Sequence, residues 1–165
     1  MMTVAIAPIA AEHIEGFHRA LDAVARERKY LAFLEAPPLD GTRAFIMDNI
    51  ARRVPQFVAV ADGEVVGWCD VLPKGAPVQA HTGRLGIGLL PQFRGKGHGA
   101  ALIDTALRAA RRFGLTRVEF HVHANNARAI RLYERVGFTT EGRMRDAVLI
   151  DGQYYDMILM AKVDH

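Results

Sequence analysis

Nine consecutive residues constrain this chain more than any others: Pro91-Gln92-Phe93-Arg94-Gly95-Lys96-Gly97-His98-Gly99. They separate a strand-like run from a helix-like run. Three glycines at alternate positions remove the side chains where a ligand would approach the backbone. Amides at a helix start have no partner within the helix and sit at its positive end. Arg94 and Lys96 add what reads as a pair of mobile cations. Such a loop is built to cradle a phosphate. It is not a dinucleotide fingerprint, which needs G-x-G-x-x-G, nor a Walker loop, because Lys96 is followed by Gly97 rather than Ser or Thr.

The surrounding pattern is mixed. Thr3–Ala7 alternates as an edge strand does, and Ala11–Arg28 carries Ile14, Phe17, Leu21 and Val24 at helical steps. Ala36-Pro37-Pro38 interrupts, and Asp40–Arg53 reads as a second helix with Phe45, Ile46 and Ile50. Phe57–Ala61 and Val65–Leu72 are β-rich around an Asp62-Gly63 turn. Pro73–Pro77 is a loop. Arg84–Leu90 is a central strand whose glycines point to a bulge or a close approach. Gly97–Phe113 is a helix, Arg117–Val122 a strand, and Asn126–Val136 a helix closed by Gly137. Phe138 onward is β again, with an Asp151-Gly152 turn before Tyr154–Met160. The order β-α-α-β-β-β-α-β-α-β-β implies an α/β layer with a partly antiparallel sheet. At 165 residues, one domain spanning 1–165 is expected.

Composition excludes other classes. Half the residues are apolar and 24% charged, too hydrophobic for a disordered chain. No run approaches the roughly 20 apolar residues of a membrane span, and Met1–Ala11 lacks the basic flank of a secretory signal. A single cysteine, Cys69, makes no internal disulfide and fits a cytoplasmic setting. A net charge of +3 suits an anionic ligand without requiring nucleic acid, since no basic block is present.

The loop resembles the acetyl-CoA-binding motif [QR]-x-x-G-x-[GA] of the GCN5-related N-acetyltransferases, through Gln92, Gly95 and Gly97. Downstream, Asn126-Ala127-Arg128-Ala129-Ile130-Arg131-Leu132-Tyr133-Glu134-Arg135-Val136-Gly137-Phe138 is similar to that family's N-x-x-A-I-x-L-Y-E-x-x-G-F helix. The two occur in the family's order with a strand between them. The resemblance implies the family's fold: a mostly antiparallel sheet with two splayed parallel strands, here Arg84–Leu90 and Arg117–Val122, flanked by helices. It implies acetyl-CoA as co-substrate, with no metal, and acetyl transfer to a primary amine in a ternary complex. Pantetheine amides would pair with the backbone of Ile87 and Leu89. The pyrophosphate would lie on Arg94, Gly95, Lys96, Gly97, His98, Gly99 and Ala100, and Asn126 would bond the cofactor or neighbouring backbone. Tyr133 would be the general acid that protonates the departing sulfur. A phenol pKa of about 10 against a thiol's of about 8.5 leaves that transfer uphill by only about 2 kcal/mol. Oxyanion stabilisation would come from the Leu89 backbone region and Tyr133.

The acceptor half is less legible. Candidate bases are Glu119, His121, His123, His81 and Asp70, with Glu119 taken first. Glu119, His121 and His123 share a strand face, and Asp70 shares one with Trp68. Asp70 is also a candidate for binding a substrate cation. His121 and His123 lack the third ligand a zinc site needs. Arg128 and Arg131 are within reach of a 3′-phosphate or simply solvated. Cys69 reads as a buried small residue. The acceptor would be met by the Glu27–Arg53 region, the Pro73–His81 loop and the Thr139–Tyr155 hairpin, where Glu27, Glu35 and Asp40 would attract an amine. Small-molecule and peptide amines both stay open, as does a homodimer. The rival readings are a non-catalytic acyl-CoA-binding module and, on the pI alone, a nucleic-acid binder.

Overall fold

The computed structural model describes residues 2–165. Seven strands form one sheet: β1 (Val4–Pro8), β2 (Gln56–Ala61), β3 (Glu64–Pro73), β4 (Thr82–Leu89), β5 (Arg117–His123), β6 (Thr139–Ile150) and β7 (Gln153–Val163). Four helices cover it: α1 (Ile14–Ala25), α2 (Leu39–Ala51), α3 (His98–Phe113) and α4 (Ala127–Arg135). The sheet order is β1-β2-β3-β4-β5-β7-β6.

Every pairing is antiparallel except β4 with β5. That parallel pair is short. It joins Thr82 to Arg117, Gly83 to Val118 and Arg84 to Glu119, and then the strands part. The splay expected between them is therefore present, and it opens toward their C-terminal ends. β4 starts at Thr82, earlier than its β propensity marks.

Both predicted tight turns form, with Asp62 and Gly63 at φ 48° and 77° and Asp151 and Gly152 at φ 51° and 77°. These positive values fit the mirror-image turn that follows the twist of a hairpin. Gly114 and Gly137 end α3 and α4 in the left-handed region. The first helix opens with a 3₁₀ turn at Ala11–His13, so its α-helical part is shorter than the periodicity indicates.

Two apolar layers hold the sheet. On one face Cys69, Val71, Leu85, Phe120 and Val122 pack with Leu102, Ile103 and Ala106 of α3 and Tyr133 of α4. On the other, Val58, Val65 and Trp68 pack with Ile14, Phe17, Leu21 and Val24 of α1 and Ile46 of α2. Each buried Leu or Ile contributes about 1.5–3 kcal/mol of apolar transfer. The two layers thus leave the β4–β5 opening as the place where the sheet lacks its own hydrogen bonds. No helix among the described residues is long and apolar enough to cross a membrane.

Candidate active site

The glycine loop lies directly after β4, at the open end of the splay. Gly95 and Gly97 take φ values of 74° and 88°. A β-carbon disfavours that conformation, and Gly97 caps α3. Among the described residues, no protein acceptor meets any backbone amide from Gly95 to Ala100. The first amide of this segment with a partner is Ala101, which donates to Gly97 O at 3.2 Å. Gly95, Lys96, Gly97, His98, Gly99 and Ala100 thus present six consecutive free donors at the positive end of α3. Lys96 is exposed and makes no ion pair with the described residues.

Arg94 departs from its sequence expectation. It is not a mobile cation of the cradle. Its guanidinium donates to both Glu27 carboxylate oxygens at 2.9 and 2.5 Å and, through Nε, to Leu89 O at 3.0 Å. It also stacks over Tyr30, 4.8 Å from the ring centre, a cation–π contact. Its amide is taken by Pro91 O at 3.2 Å. The guanidinium of Arg128 from α4 reaches the loop at Gly95, where a β-carbon would overlap it.

The open edge of β4 follows from strand alternation. Leu90 N donates to Val66 O of β3, so the backbone groups of Leu89 and Ile87 turn the other way, toward the gap. Leu89 O is already bonded to Arg94. The Leu89 N–H and both backbone groups of Ile87 have no β5 partner, because pairing stops at Arg84.

Tyr133 projects from α4 into the layer beneath this gap. Its ring packs on Phe120 at 4.3 Å between centroids. Burial pushes its phenol well above the ordinary value, with neighbouring Cys69 adding to the effect, so it stays protonated. Its hydroxyl makes no hydrogen bond to the described residues. Cys69 is fully buried, and burial raises its thiol far above the thiolate range, which suits a core residue. Asn126 caps α4, its Oδ1 accepting from Ala129 N at 3.2 Å, as a helix N-cap does.

The acceptor-side candidates separate by position. Glu119 sits at the last β4–β5 pair, the closed end of the splay. One carboxylate oxygen accepts from Arg117 Nε at 3.1 Å, and the other lies 3.3 Å from Lys74 Nζ. Burial raises its pKa, but the two cations outweigh that and hold it below the usual range. A carboxylate so held is a poor proton acceptor. His81 precedes β4 at the same closed end. His121 is exposed. His123, at the open end, is buried beside Tyr155 with ring centres 5.7 Å apart, and burial lowers its pKa. Glu27 pairs with Arg94, and the exposed Glu35 lies 3.4 Å from Arg26.

Asp70 lies on β3 opposite Gly86 of β4. It is only 7% exposed, and burial raises its pKa to about 7 against the pull of a Gln56 hydrogen bond. Removing a carboxylate from water favours its protonated form in this way. Gln56 Nε2 donates to Asp70 Oδ2 at 3.5 Å, and Gln56 Oε1 accepts from Asn49 Nδ2 of α2 at 3.3 Å. Sequence reasoning missed Gln56 and Asn49. The available signal was a polar residue opening an otherwise apolar strand, just outside the Phe57–Ala61 run. Among the described residues, no group of three or more potential metal ligands gathers.

Comparisons with known proteins place the chain in a family and a fold. Residues 18–138 match the model of the Acetyltransferase (GNAT) family. The L-amino acid N-acetyltransferase AaaT of Escherichia coli strain K12 is 31% identical over 111 residues, covering 67% of this chain and 68% of that protein. Spermidine N(1)-acetyltransferase of the same strain is 30% identical over 147 residues, 84% of this chain and 72% of that one. Among solved structures, a GNAT superfamily phosphinothricin acetyltransferase from Sinorhizobium meliloti in complex with acetyl-CoA superposes with a TM-score of 0.90. It shares 18% identity, and the match covers 98% of this chain and 89% of that one.

Proposed function

The chain belongs to the GNAT acetyltransferase family, and from that premise we propose that it transfers an acetyl group from acetyl-CoA to a primary amine of a small molecule. The observation that carries this reading is the row of six unpartnered amides from Gly95 to Ala100 beside a strand edge with no partner. The residues fit the co-substrate. The amides, Lys96 and Arg128 suit its pyrophosphate, and the two free backbone groups of Ile87 suit an amide of its pantetheine arm; the Leu89 carbonyl is taken by Arg94, which leaves only its N–H. Bound there, acetyl-CoA supplies an activated thioester carbonyl.

The chain's own groups supply the rest. The Leu89 N–H faces the gap and is available to a developing oxyanion. The Tyr133 hydroxyl, protonated and unpartnered, serves as general acid to the departing sulfur; because burial raises its phenol, that transfer is steeper than at ordinary values, and the hydroxyl acts first by hydrogen-bonding the developing thiolate. No covalent enzyme intermediate is involved, consistent with a Cys69 thiol that is buried and protonated. The overall change is ammonium plus thioester to amide, free thiol and one released proton. A small acceptor is favoured by two relatives, whose names specify an L-amino acid and spermidine.

Release of free thiol from acetyl-CoA tests this, using pools of L-amino acids, polyamines, aminoglycosides and short peptides. Release in a small-amine pool is expected. Failure to bind acetyl-CoA in a titration would remove the central claim, and binding without release in any pool would make the protein an acyl-CoA-binding module.

A further inference from the structure

We propose that Asp70 is the catalytic base of this protein, receiving the acceptor's ammonium group and taking its proton at Oδ1. This rests on the acetyl-transfer reading above and deepens it.

Three features of the structure converge on that atom. First, its position: Gly86, opposite Asp70, lies just beyond Arg84, where β4 and β5 separate. Second, the space: Asp70 Oδ1 lies 2.9 Å from where a Gly86 β-carbon would be. The carboxylate therefore leans across β4 onto the face left bare by glycine. Trp68 does the same at Gly88, where its ring fills the place of a side chain. Two glycines alternating with Leu85, Ile87 and Leu89 strip one face of β4 so that β3 side chains can cross it. Third, the hydrogen bonding is lopsided. Oδ2 has the Gln56 amide, but Oδ1 has no donor among the described residues, although Asp70 is only 7% exposed. Buried polar atoms ordinarily have partners. Thr42 Oγ1 is the one sealed side-chain atom without a partner among those residues, so Asp70 Oδ1 keeps some accessible surface. A largely buried acceptor of this kind is unfavourable unless a ligand supplies the donor.

The Asn49–Gln56–Asp70 chain explains why the carboxylate is held there. Gln56 is itself 2% exposed and oriented by Asn49, so it fixes Oδ2 and leaves Oδ1 the freer oxygen. A carboxyl that titrates near neutrality is a far better proton acceptor than the ion-paired Glu119. In the step proposed, one N–H bond of the ammonium breaks and an O–H bond forms at Oδ1. The electron pair stays on nitrogen as the lone pair that attacks, and the proton later passes to solvent.

The test uses Asp70→Asn, which keeps the shape and an acceptor for Gln56. Titration calorimetry with acetyl-CoA and thiol release with spermidine and a panel of L-amino acids would be run on both proteins. In parallel, aspartate-selective carboxyl-carbon NMR would follow the one resonance lost in Asp70→Asn, with CoA present and each amine added in turn. The expected result is acetyl-CoA affinity within twofold of wild type, with kcat/KM for the preferred amine down at least 100-fold. The Asp70 midpoint should fall when that amine is added. Activity within threefold of wild type overturns the assignment, and so does an Asp70 resonance that no amine moves. Loss of acetyl-CoA binding by the wild type itself would instead sink the acetyl-transfer reading.

Discussion

At the residue scale, side chains that look alike in sequence divide sharply by their partners. Tyr133 packs as a core aromatic but has a hydroxyl with no partner among the described residues. Tyr133→Phe should therefore keep its packing, with a stability change within about 0.5 kcal/mol. The same change removes the proposed proton donor, so kcat should fall about 100-fold while the acetyl-CoA dissociation constant stays put. Thermal melting beside steady-state kinetics checks both halves; a large melting loss would mean the hydroxyl is structural. Arg94 and Asp70 show where residue-level reading stops. The cation beside the glycines is plain in the sequence, but its partner Glu27 is 67 positions away. Asp70 is one of five eligible bases until strand register puts it over Gly86.

At the element scale, the glycine loop and α3 were legible because their signals are local. Alternating glycines run straight into an apolar stripe, and Gly97 does cap the helix. What was not legible is how the loop is braced. Arg94 ties it to the segment after α1, and Arg128 reaches it from α4. The two arginines should therefore behave oppositely. Arg94→Met breaks a charge-assisted bidentate pair that is only a quarter exposed. It should lower stability by about 1–2 kcal/mol. Arg128→Met should leave stability nearly unchanged and weaken acetyl-CoA several-fold, less so in high salt. Denaturant melts and calorimetry at two salt concentrations separate the cases, and equal effects in both assays would contradict this division. The strand glycines give a second element-level expectation. Gly88→Ala drives a β-carbon into the Trp68 ring. Such overpacking costs about 1–3 kcal/mol. A melt that matches wild type would mean the ring swings aside from Gly88.

At the scale of the whole molecule, the acceptor side and the folding balance meet in one group. A carboxyl raised to about 7 in the folded chain against an ordinary 3.8 binds more protons folded than unfolded between those values. Folding stability must then fall as pH rises through that window, by up to about 4 kcal/mol from this group alone. The depressed acids act elsewhere. Asp22, Glu141, Asp156 and Asp164 are lowered chiefly by their hydrogen bonds. They stabilise above their unfolded values and release that stability as pH drops below about 4. Asp70→Asn removes only the first contribution. The variant should match wild type near pH 4 and become progressively more stable relative to it toward pH 8, while losing acetyl transfer. Chemical denaturation across pH 4–8 measures the difference curve directly. A flat difference would mean that Asp70 is solvated and ordinary in the folded chain, and a variant less stable at pH 8 would mean that its charge is compensated by a partner. The rising curve, coupled to lost activity, is what a base held ready in a water-poor site requires: the fold would then tolerate an unfavourable buried carboxylate for the sake of the reaction.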